Sequence, residues 1–185
     1  ATVVRSEESG PPTLDFPATL APPPVLGEAE AIAAQTLLDD VREQSASIVT
    51  YARELVRRFG EGSTSAEAAL LSEGLATPEA RTTFMAQLLG VRNIPARVVH
   101  GLRLGETETR GGLQPWLAVF NGPAWTLIDP RTAAEGFPSD FFLWHAGNAP
   151  LLVVDGNPRA SVEFITSLNL ADAMAMAERR LEVQN

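Results

Sequence analysis

Cysteine occurs nowhere in the 185 residues. Its absence excludes disulfide bonds, thiol catalysis and cysteine-ligated zinc. It suits an oxidising compartment, where a stray thiol is a liability. Long apolar runs are missing as well: no stretch of about 18 apolar residues is available to span a bilayer as a helix. Basic residues are scarce, 14 against 23 acidic ones, for a net charge of −9. A surface of that sign repels phosphate backbones and anionic lipid, which argues against nucleic acid as a partner. The two histidines, His100 and His145, lack the close spacing of paired metal ligands, so neither a metal nor another cofactor is expected. No internal repeat is visible, and Ala1 opens a polar segment instead of an apolar leader.

What remains is the composition of one folded domain. Hydrophobic residues make up 45% of the chain, enough for a core at this length. Fourteen prolines and 14 glycines imply many turns without implying disorder. They crowd the beginning: "SEESGPPTLDFPATLAPPPVLG" makes residues 1–27 an extended arm, because proline fixes φ and removes backbone donors. Residues 28–185 then read as a single domain.

Its elements follow from periodicity and punctuation. Glu28 to about Gln44 reads as a helix. Ser45 to Phe59 is a second, with Ile48, Tyr51, Ala52, Leu55 and Phe59 on one face. "STSAEAALLSEG" gives a short third helix ending at Gly74. Thr77-Pro78-Glu79 is a strong start for a fourth: a capping hydroxyl, proline in the first turn and an early acid. That helix carries Phe84, Leu88 and Leu89 and ends near Asn93, where Ile94-Pro95 forces extension. "ARVVHGLRL" reads as a strand, and "GETETRGG" as a polar turn region. "LQPWLAVF" and "AWTLIDP" form a hairpin about Asn121-Gly122-Pro123. Another hairpin is expected around Asp155-Gly156-Asn157, and a last helix from Leu170 to about Leu181 behind Asn169. Arg179 and Arg180 fall on that helix, as a solvated face or as charges flanking a membrane. Helices, then mostly antiparallel strands, then a helix make an α+β fold.

Three blocks stand in an informative order: a helix followed by "GVRNIPARVVHG", then "QPWLAVF", then "AWTLIDP". Together they resemble the transglutaminase-like core of the papain-like superfamily, over about residues 66–131. The resemblance implies N-terminal helices packed on an antiparallel sheet. In that family a cysteine at a helix start attacks an acyl carbon, a histidine one strand away carries the proton, and an aspartate on the next strand orients the imidazole. Here the cysteine position falls at Thr77 or Pro78, the histidine position is Gln114, and the aspartate position is Asp129. A glutamine amide cannot act as a general base near neutral pH. Two of the three members are therefore replaced, and the chain reads as an inactive homologue, not an enzyme.

Each retained position has two readings. Asp129 either opens a turn, since "DP" suits one and the carboxylate accepts backbone N–H groups, or it survives as a polar contact in a ligand cleft. Gln114 either hydrogen-bonds a peptide in the old cleft or lies on the surface. Trp116 and Trp125 either fill the core or wall a groove. "FFLWHAGNAP", residues 141–150, is apolar enough for the core and otherwise marks a partner surface.

A narrower resemblance is to a bacterial family in which an inactive transglutaminase-like domain lies outside the cytoplasmic membrane, fused to seven membrane helices. That resemblance implies a periplasmic location and an association with an ATP-grasp peptide ligase and a pepsin-like aspartic peptidase. Papain-like clefts hold extended peptides, so the function expected is non-catalytic sensing or binding of a peptide-like ligand or protein partner, with Gln114, Trp116 and Asp129 as candidate contacts. One alternative is a hydrolase or transferase rebuilt on Asp129 with His100 or His145. Another is a structural interaction domain for a periplasmic peptidase or a second copy of the chain.

Overall fold

A computed structural model of the chain describes residues 14–103, 109–111, 113–138, 141–147 and 164–166. Within these, four helices come first: α1 Glu28–Glu43, α2 Ile48–Phe59, α3 Ala66–Leu71 and α4 Pro78–Val91. The strands follow as β1 Ala96–Arg103, β2 Thr109–Gly111, β3 Gln114–Phe120, β4 Trp125–Ile128, β5 Phe141–Ala146 and β6 Phe164–Thr166. Every pairing is antiparallel. A main sheet runs β4-β3-β1-β5, and a separate ribbon pairs β2 with β6. The architecture is α+β, as the residue pattern implied, and it is compatible with a transglutaminase-like domain.

Helix starts are set by side chains that satisfy the first free N–H groups. Glu30 reaches back to the Gly27 N–H at 2.7 Å. Ser47 accepts from the Thr50 N–H, which is why α2 begins at Ile48 and not at Ser45. Ser65 accepts from Ala68, and Thr77 accepts from Ala80. Helix α4 stops where Asn93 turns left-handed at φ 60°, before the Ile94-Pro95 pair.

The sheet separates two apolar layers. On one face Ala96, Leu117, Val119 and Ile128 pack against Leu37, Leu55, Met85 and Leu89 of the helices. On the other, Val99, Trp116, Ala118 and Leu127 pack with Phe141. Period-two alternation along β1 and β3 produces this division. Phe141 lies so close over Gly101 that a Cβ there would stand 2.1 Å from its ring. The apolar "FFLWHAG" run is thus an edge strand whose first residue is core, while Trp144 is 44% exposed.

The arm folds back on the second layer. Phe16 meets Trp125 edge-on at 5.7 Å, and its carbonyl accepts from the Trp125 indole N–H at 3.0 Å. Arg97 stacks over both rings and donates to the Pro17 carbonyl and the Thr19 hydroxyl. Further along, Ala21 lies against Gly90 of α4.

Part of the polar "GETETRGG" region, read as a turn, contains strand β2. The hairpin about Asp155-Gly156-Asn157 and the helix from Leu170, with Asn169, Arg179 and Arg180, lie outside the described residues. Among those described, no helix is long and apolar enough to cross a membrane.

Candidate functional site

The start of α4 holds Thr77 and Pro78, the positions that the transglutaminase resemblance aligns with a nucleophile. Thr77 is committed there to the backbone: its hydroxyl oxygen accepts from Ala80 N–H at 3.1 Å. Pro78 is the first helical residue and carries no reactive group. Glu79 turns towards the sheet and meets His100 Nε2 at 2.5 Å.

Gln114 opens β3 opposite Gly101, exposed to solvent. Alternation from Trp116 and Ala118 places it on the face away from α4. The fold therefore does not bring Gln114 to the helix start. Trp116 is 3% exposed and lies 4.8 Å from Phe141, a core position. Trp125 is half-buried under the arm.

Asp129 follows β4 and is buried. Its carboxylate accepts from the Arg131 N–H at 2.9 Å, and its carbonyl accepts from Ala133 N–H. This is the aspartate-initiated turn that the sequence suggested. Ala133 is left-handed at φ 57°, and Arg53 Nε donates to its carbonyl at 3.1 Å. The turn is thereby held from both ends and from α2.

The rebuilt catalytic pair expected as an alternative, Asp129 with His100 or His145, does not form. Asp129 directly follows the edge strand β4, while His100 and His145 stand on β1 and β5, two and three strands away. At about 5 Å per strand neither imidazole reaches it. Instead His100 and His145 are cross-strand partners with rings stacked at 6.1 Å. Of their ring nitrogens, His100 Nδ1 and His145 Nε2 are buried without a hydrogen-bond partner among the described residues. Also among these residues, no group of His, Asp and Glu has the geometry of a metal site.

A cleft of about 530 Å³ opens between α2, the start of α4 and the turn after Asp129. Val56, Phe59 and Met85 give it an apolar wall, Pro78 and Pro130 also line it, and Arg57, Arg81 and Arg131 reach it from three separate segments. A second cleft, about 370 Å³, lies between the arm, α4 and β1. Gln114 and Trp116 line neither.

The larger cleft thus lies between the start of α4 and the turn after Asp129. Residues 2–75 match the family described as inactive transglutaminase fused to 7 transmembrane helices. This is the family to which the motifs pointed. The match runs through the arm and the first three helices, whereas the motif resemblance occupies about residues 66–131, so the two meet over residues 66–75. No curated protein and no solved structure matches the chain. The family's description is of an inactive domain joined to membrane helices.

The three arginines escaped the sequence reading. They stand 24 and 50 residues apart in the chain, at Arg57, Arg81 and Arg131, with nothing local to connect them. The one available signal was the Asp129-Pro130-Arg131 turn, which carries a cation beside a buried aspartate.

Proposed function

We propose that this chain is a non-catalytic binding domain of a seven-helix membrane protein, lying on the periplasmic side, where it senses a peptide-like ligand or a protein partner. One observation carries the reading: at Thr77-Pro78, which the resemblance aligns with the nucleophile, the Thr77 hydroxyl is engaged as a helix cap. The family match and the absence of cysteine support it. A ligand that binds better to one state of the attached membrane region shifts its equilibrium towards that state. No chemistry is required for that.

The test has two arms. Incubated with a glutamine-containing peptide and an amine, the chain should release no ammonia and form no isopeptide. Turnover above background that Thr77→Ala abolishes would sink the reading. In the second arm, thermal unfolding is followed across extended peptides. A ligand present at about 100 times its Kd should stabilise the fold by about 2.7 kcal/mol.

A further inference from the structure

The cleft beside α4 has a charge that the rest of the molecule does not share. The chain carries nine more acidic than basic groups, yet three arginines and one acidic residue, Glu61, line this opening. Arg81 and Arg131 have no ion-pair partner among the described residues. Arg81 spends only its Nε, on the Leu75 carbonyl, which leaves its other N–H groups unused. Arg57 pairs with Glu54 one turn away at 3.3 Å, an exposed contact of the kind that yields readily to a better acceptor. Unpaired cations on an acidic protein are attracted elsewhere unless the fold holds them apart. The fold fixes the main chain that carries Arg131: Asp129 accepts from its N–H, and Arg53 ties the same turn to α2.

Guanidinium groups present paired N–H donors that match carboxylate oxygens. Glu61 offers the opposite charge in the same opening and suits an ammonium group. Val56, Phe59 and Met85 supply apolar surface between the charges. The volume lies within the range of sites for small molecules and short peptides. The geometry points to a short acidic peptide with a free amino terminus as the ligand of this cleft, its carboxylates on Arg57, Arg81 and Arg131 and its amino group on Glu61. This rests on the non-catalytic reading and names the ligand class for it. Asp129 is then a positioning residue, because it fixes the main chain at Arg131.

Isothermal titration of the 185-residue chain with tri-aspartate, its N-acetylated form, tri-asparagine and inorganic phosphate tests the assignment. Tri-aspartate should bind saturably at one site and tri-asparagine should not. Arg131→Ala and Arg81→Ala should each weaken tri-aspartate about tenfold or more, in proportion to the loss of a charged hydrogen bond. N-acetylation and Glu61→Gln should each weaken it in the native chain and show no further effect when combined. Circular dichroism checks that each variant is folded. Tri-aspartate binding that ignores both arginine substitutions would overturn the assignment and leave a binding domain with its site elsewhere. Equal affinity for phosphate, competing with tri-aspartate, would reduce the cleft to a simple anion site and overturn the peptide. No heat with any probe would overturn it too. Appearance of new peptide amines during the titration would instead sink the non-catalytic reading.

Discussion

At the scale of single residues, polar side chains in this protein are mostly spent on the backbone. Ser47, Ser65 and Thr77 cap helices, Asp129 closes a turn, and Thr82 returns a bond to the Pro78 carbonyl. Tyr51 belongs to the same group: buried in α2, it donates its hydroxyl to the Leu38 carbonyl of α1 at 3.0 Å. Burial pushes the phenol above its ordinary value of 10.0, against a smaller opposing influence of Arg92. The folded state therefore holds this proton at a pH where the unfolded chain releases it. The associated stability is complete below about pH 10 and declines as pH rises through the folded value. Tyr51 is the one tyrosine of the chain, so phenolate absorbance reports it alone. Tyr51→Phe should cost about 1 kcal/mol at neutral pH, through the lost hydrogen bond. It should also flatten the fall in stability above pH 10 seen in urea titrations. An unchanged alkaline slope would mean that another group governs it.

Among the elements, the arm and α4 constrain each other. Glycine inside a helix normally costs about 0.5–1 kcal/mol relative to alanine. At Gly90 that preference should invert, because a Cβ would stand 2.4 Å from the Ala21 carbonyl oxygen. Gly90→Ala should destabilise the chain by about 1–3 kcal/mol, as overpacking does. In a chain shortened to begin at Gly27 the same substitution should stabilise. Urea denaturation of the four proteins decides this, and a stabilising effect in both backgrounds would show that the arm does not press on α4. This coupling could not be read from sequence. The helices could, because caps and apolar spacing are local signals: Thr77-Pro78 announced α4, and Asn121-Gly122-Pro123 announced the β3–β4 hairpin. Docking of the arm depends on Phe16, Arg97 and Trp125, which are far apart in the chain and unremarkable alone. The cleft was illegible for the same reason. Gln114 drew attention through its alignment with a histidine, but alternation turns it to the other face of the sheet, which a motif does not reveal.

For the whole molecule, the long-range field and the local cleft oppose one another. A net charge of −9 repels an acidic peptide at distance, while the arginines attract it within contact range. Screening acts on the distant term first, since the Debye length is about 8 Å at physiological salt. The association rate of tri-aspartate should therefore rise from low salt to physiological salt, and its dissociation rate should rise too. Stopped-flow mixing that follows tryptophan fluorescence measures both. An association rate that falls with salt would indicate that the cleft's own field governs approach.

The Arg97 clasp has a mechanical consequence. The arm reaches the body of the protein at Phe16 and Pro17, against a side chain from strand β1, before it arrives at α1. A pull transmitted along the chain ahead of Leu14 would load the sheet first and the helices second. Three hydrogen bonds, a stacked cation and the Phe16–Trp125 ring contact would bear that load. Once they part, the next contact to bear the pull is Ala21 against Gly90 of α4, so the clasp would stand as a first fuse between a tether and the helices.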